Sequence, residues 1–155
     1  MITKIIPNVL GTSVENRING LSDYIHNPNQ TRIDYLSDYI TQLHASFSHE
    51  LISEKCVYSN SRNFLDDNIE YQKIEMSQTA SLNTRVDDPI VHIVGSFKKF
   101  EVPTIQQLEE QIDILSKHLK ADDLQMQYAL HIDTDNVHFH LIINRIHPYR
   151  KNNHN

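Results

Sequence analysis

Cysteine, glycine and positive charge are all scarce in this chain. The one cysteine, Cys56, excludes a disulfide framework and reads as a small buried hydrophobe. Three glycines, and no stretch rich in Pro, Gly or Ser, leave no flexible linker to divide the chain. No apolar run approaches the ~18 residues of a membrane-spanning helix. The amino terminus lacks the charged-then-apolar order of a secretory signal, so a cytoplasmic protein is expected. Lys and Arg number 14 against 20 Asp and Glu, a formal net charge of −6. That balance argues against strong non-specific attraction to nucleic acid, whose phosphates need cations. What is present, 155 residues with 39% hydrophobic and 22% charged side chains, suits one ordinary globular domain with a core.

The chain alternates short apolar runs with helical patterns. Ile2 to Leu10 reads as a strand with Pro7 near its edge. Val14, Ile18, Leu21 and Ile25 have helical spacing, and Asn27-Pro28-Asn29 stops that helix. Thr31 caps a second helical run through Ile33, Leu36, Ile40 and Leu43. Leu-Ser-Asp-Tyr-Ile occurs at 21–25 and again at 36–40, a local echo rather than a repeat. Lys55 to Ser59 reads as a short strand, residues 63–82 as partly helical, and Ile90 to Phe97 as a buried strand. Thr104 with Gln107 forms a capping box, followed by one apolar stripe of Ile105, Leu108, Ile112, Leu115 and Leu119. The acids Glu109, Glu110, Asp113, Asp122 and Asp123 read as a solvated face. The order predicts an α+β fold, an antiparallel sheet with helices packed mainly on one face.

Residues 131–144, His-Ile-Asp-Thr-Asp-Asn-Val-His-Phe-His-Leu-Ile-Ile-Asn, carry the chemistry. His138 and His140 are two apart, so on a strand they point to one face. Val137, Phe139, Leu141 and Ile143 line the other, which reads as core. Met126 to Leu130 is a second apolar run, and Asp133 to Asn136 is a polar turn. A hairpin there brings His131 beside His138 and His140. Three imidazoles around an open position fit a catalytic divalent metal site.

The same stretch, continued through Arg145-Ile146-His147 to Pro148, resembles the third motif of conjugative relaxases of the plasmid TraI type, members of the HUH endonucleases. Gly20-Leu21-Ser22-Asp23-Tyr24-Ile25 resembles their first motif, with Tyr24 at the nucleophile position. His92-Ile93-Val94-Gly95-Ser96-Phe97 resembles the second, with Ser96 at its serine, and Met1 to Pro7 is similar to relaxase amino termini. The resemblance spans nearly the whole chain, residues 1–155. It implies the histidines on two central neighbouring strands of an HUH-type sheet. It also implies that the chain is either cut short at its carboxyl end or a short stand-alone form.

The implied activity is site- and strand-specific nicking at a transfer origin. A tyrosine attacks the phosphodiester, a divalent cation, Mg²⁺ or Mn²⁺, assists, and a 5′-phosphotyrosyl link remains for rejoining. The implied roles are Tyr24 as nucleophile, Ser96 as a positioner of DNA, and His131, His138 and His140 as metal ligands. Tyr39, in the echo, is a second nucleophile or a decoy. Asp133 or Asp135 would serve as base or orient a ligand imidazole. Lys98, Lys99, Arg145, Arg150 and Lys151 are the cations placed to meet phosphates. Expected partners are single-stranded DNA, accessory relaxosome proteins and a coupling protein, with no membrane. His147, His154, His118, His92, His49, His44 and His26 lack the paired spacing and read as surface or local structural residues, His92 sharing the strand of Ser96. Three other readings stay open: another HUH enzyme such as a replication initiator or transposase, a non-catalytic metal-containing DNA-binding module, and a small-molecule hydrolase.

Overall fold

The computed structural model describes residues 2–7, 13–26, 56–132 and 136–149. The elements are β1 (Ile2–Ile6), α1 (Val14–His26), β2 (Cys56–Arg62), α2 (Ile69–Ala80), β3 (Ile90–Ser96), α3 (Ile105–His118), β4 (Met126–His131) and β5 (His138–Asn144). The strand expected from Ile2 ends at Ile6, where Pro7 removes a ladder donor. The ambiguous stretch 63–82 holds α2, opened by Asn68, whose side chain accepts the amides of Glu70 and Tyr71. Thr104 and Gln107 close the capping box of α3 as expected. The helical run expected from Thr31 lies outside the described residues.

The five strands form one antiparallel sheet in the order β1-β3-β5-β4-β2. β5 is the middle strand and β4 its inner neighbour. The side-chain period of two gives each face its own core. On one, Leu108 and Ile112 of α3 pack over Tyr128, Leu130, Phe139, Leu141 and Ile143. On the other, Ile18 and Ile25 of α1 and Met76 of α2 pack over Ala129 and Ile142. Two of the three described helices therefore share the face that carries the histidines.

Gly95 sits opposite Phe139 in the β3–β5 register. A Cβ at this position would fall within 2.3 Å of the Phe139 ring, so the aromatic lies flat over bare backbone. Glu109 departs from the solvated face expected of it. It is half-buried and accepts from Tyr58 Oη and Tyr128 Oη, each at 2.6 Å, from Asn60 Nδ2 at 3.0 Å and from Arg62 Nη2 at 2.8 Å. Arg62 also pairs with Asp113. Burial raises the Glu109 carboxyl, but the hydrogen bonds from Tyr128, Tyr58, Asn60 and Arg62 outweigh it and hold the group below the usual carboxylate range. Burial, reinforced by Glu109, pushes both phenols up.

Candidate metal and nucleophile site

His131 and His138 are direct cross-strand partners, and His140 pairs across to Ala129 on one side and Val94 on the other. The hairpin of β4 and β5 thus brings the three imidazoles to one face, His131 and His140 buried and His138 half-buried. Ring centroids lie 5.4 Å apart for His131 and His138, 4.5 Å for His131 and His140, and 5.2 Å for His138 and His140. One nitrogen from each ring lies within 4.8 Å of the others, close enough for one ion to reach all three.

The outer nitrogen of each ring is engaged elsewhere. His131 Nε2 lies 2.8 Å from the carbonyl of Ile25, in the last turn of α1, where backbone oxygens lack helical partners. His138 Nδ1 lies 3.1 Å from the carbonyl of Asn136. His140 Nδ1 lies 2.8 Å from Nε2 of His92. A carbonyl accepts only from an N–H, so Nδ1 of His131 and Nε2 of His138 are left with lone pairs to offer. Nε2 of His140 is the third. The donor set fits a divalent cation.

Tyr24 stands beside this cluster. Its ring meets His140 edge-on at 5.3 Å and His131 at 6.2 Å, and the side chain is 47% exposed. The apolar stripe of α1 seats that helix on the histidine face, and its last turn carries both Tyr24 and the carbonyl that holds His131. Next to Tyr24, Asp23 forms an ion pair at 2.9 Å with Lys73 of α2, which also meets Glu70 at 2.9 Å.

Ser96 is half-buried on β3 and pairs with His138 in register, on the histidine face. Lys98 and Lys99 follow it on an exposed turn at the same end of the sheet, Lys99 lying 5.1 Å from the centre of the Phe100 ring. Phe100 has a φ of 68° and is exposed. Arg145 stands apart from the cluster. It follows the far end of β5, five residues beyond His140 or on the order of 15 Å along the strand, and its Nη1 donates to the Asp88 carbonyl at 3.2 Å. Asp133, Asp135, Tyr39, Arg150 and Lys151 lie outside the described residues. Asn136 is described, and its side-chain amide donates to the carbonyl of Phe97, just after β3, at 2.8 Å.

His92 belongs to this site rather than to the scattered histidines. It is buried, stacked on His140 at 5.1 Å and 28°, and pushed down to about 4 by burial and then by the charge of Arg17. Arg17 is itself buried and donates to the Ile90 carbonyl at 3.3 Å. One signal for His92 was in the sequence: it lies four residues from Ser96 on one strand, so the two share a face. His44, His49 and His154 lie outside the described residues, whereas two of the other histidines have local backbone partners. His26 Nδ1 meets the Ser22 carbonyl at 2.7 Å, and His147 Nδ1 accepts from the Tyr149 amide at 2.9 Å.

Residues 35–155 match the family model of the MobA/VirD2-like relaxase nuclease domain. The chain belongs to this family. The MobA protein of Acidithiobacillus ferrooxidans is 45% identical over 75 residues, which are 48% of this chain and 18% of that relative. Two TraI proteins of Escherichia coli are 37% identical over 81 residues and 38% identical over 84, in each case 52% of this chain and 11% of the relative. The chain thus corresponds to less than a fifth of the length of these curated relaxase relatives. No solved structure matches it. The family match takes in the three clustered histidines and Ser96 but begins after α1, so it includes Tyr39 and leaves out Tyr24.

Proposed function

We propose that this relaxase domain nicks one strand of DNA at a transfer origin, with Tyr24 as nucleophile and a divalent cation held by His131, His138 and His140. One observation carries the reading: the Tyr24 ring lies 5.3 Å from His140 and 6.2 Å from His131, beside three clustered imidazoles. The cation, Mn²⁺ or Mg²⁺, would supply Lewis-acid polarisation of the scissile phosphate. The Tyr24 oxygen attacks phosphorus, an O–P bond forms to the phenol, and the bond from phosphorus to the 3′ oxygen breaks. The product is a 5′-phosphotyrosyl link and a free 3′ hydroxyl, and the retained ester allows the strand to be rejoined.

A phenol titrates near ~10 and must lose its proton for attack at neutral pH. The ligand imidazoles already have orienting partners in Ile25, Asn136 and His92. Asp133, two positions after His131 in the sequence, is the residue proposed to accept the phenol proton. Ser96, beside His138, positions the strand near the nick, and Lys98 and Lys99 meet its phosphates. Arg150 and Lys151 are further candidates for phosphate contact. The substrate is single-stranded origin DNA, and accessory relaxosome proteins and a coupling protein would deliver it.

The test is incubation of the chain with transfer-origin oligonucleotides and Mn²⁺ or Mg²⁺, followed by intact mass measurement and peptide mapping. A cation-dependent adduct on Tyr24 is expected. Oligonucleotide binding with no covalent adduct would mark a non-catalytic module instead, and an adduct on Tyr39 would move the nucleophile.

A further inference from the structure

His92 stands above only as a neighbour of His140; it does not reach the substrate, yet it is buried against a proposed metal ligand. Its Nε2 and the Nδ1 of His140 are 2.8 Å apart, and its own Nδ1 is buried with no hydrogen-bond partner among the described residues. Two nitrogens at that distance share one proton, and its location decides what His140 can do. With the proton on His92 Nε2, His140 Nδ1 is the acceptor and a neutral His140 carries its hydrogen on Nε2, which closes that atom to a cation. With the proton on His140 Nδ1, Nε2 turns a lone pair toward the site. Only the second arrangement makes His140 a ligand through the nitrogen that faces the cluster.

We propose that His92 is a positioning residue that accepts the Nδ1 proton of His140, fixing the tautomer and ring plane in which Nε2 meets the cation. The inference rests on the cation site proposed above. Two observations place the pair: His92 sits one diagonal step from His140 across the β3–β5 ladder, and the two rings stack at 28°. A ligand histidine is more often backed by a carboxylate or a carbonyl. A neutral imidazole in that role brings no negative charge toward the ion. The cation therefore keeps more of its own charge for the phosphate, at some cost in affinity.

Calorimetric titration with Mn²⁺ separates the possibilities, using the wild-type chain, His92→Phe and His92→Gln. Phe fills the space but cannot accept a proton, and should weaken Mn²⁺ binding about 10- to 100-fold. Gln offers an amide oxygen and should recover most of the affinity. Independently of any variant, ¹⁵N ring spectra of the Zn²⁺-loaded wild type should show His140 protonated at Nδ1 and ligated through Nε2. Unchanged Mn²⁺ affinity in a folded His92→Phe, or ligation of His140 through Nδ1, overturns the role of His92 while leaving the cation site intact. Failure of the wild type to bind either ion removes both.

Discussion

A methyl group at position 95 would sit 2.3 Å from the ring of Phe139, which is itself fully buried. Gly95→Ala must push that ring aside, and overpacking of this kind costs about 1–3 kcal/mol. The denaturant midpoint should fall accordingly, and a midpoint equal to wild type would show that the ring has room to move. Tyr24→Phe tests the other side of the sheet. It keeps the ring against His131 and His140 but removes the oxygen proposed to attack. Adduct formation should drop by several orders of magnitude, while Mn²⁺ affinity and thermal midpoint stay within error of wild type. At this scale the sequence showed whatever depends on spacing alone. His138 and His140 share a face because they are two apart on a strand, whatever the rest of the fold does. The roles of His92 and Gly95 arise from cross-strand register, and a single sequence does not state which strand β3 will lie beside.

The helices were legible where one stripe of apolar residues met a stop signal, as in α1, or a cap, as in α3. α2 was not, because its buried side includes Gln72, Lys73 and Thr79 beside Met76 and Ala80, and a mixed face has no clear period. One of the polar residues it buries is matched by the sheet: Gln72 accepts from Gln127 Nε2 at 3.0 Å and donates to Ser61 Oγ at 2.8 Å. α3 is fastened differently, through Glu109, whose oxygens gather Tyr58, Asn60, Arg62 and Tyr128 from β2 and β4. Glu109→Gln weakens those charge-assisted bonds and should cost about 1–3 kcal/mol at neutral pH. The sign with pH follows from its depressed folded value. Glu109 takes up a proton less readily folded than unfolded, so its contribution is complete above the ordinary value of 4.5 and is lost as pH falls through the folded one. Acid titration of stability should therefore be shallower below pH 4.5 in Glu109→Gln than in wild type; parallel curves would place the acid sensitivity elsewhere.

For the whole molecule, a net charge of −6 and the proposed DNA substrate are reconciled by where the charges lie. Five acidic side chains stand on or after α3, on the face opposite the histidines, and two of them, Glu109 and Asp113, are paired with Arg62. Lys98 and Lys99 stand at the histidine end of the sheet, whereas Arg145 caps the far end of β5. Each phosphate contact on a single strand steepens the salt dependence of binding by about 0.7. Replacing both lysines with Ala should flatten the slope of log affinity against log salt by about 1.4. Arg145→Ala should leave it unchanged, and the reverse outcome would move the DNA path to the other end of β5.

The hydrogen bond from His131 Nε2 to the Ile25 carbonyl joins residues 106 apart in the chain. It makes the end of α1 and the proposed cation thermodynamic partners. If the bond steadies His131 for the ion, the ion must steady the bond by the same free energy. At a hundred times its Kd, a ligand confined to the folded state adds about 2.7 kcal/mol against opening. Amides in the last turn of α1 should then exchange with solvent more slowly once Mn²⁺ is present, and exchange rates unaltered by saturating Mn²⁺ would break the linkage. The helix that carries Tyr24 would then be held most firmly when the cation is in place, and the proposed nucleophile would be steadied by the same ion proposed to polarise its target.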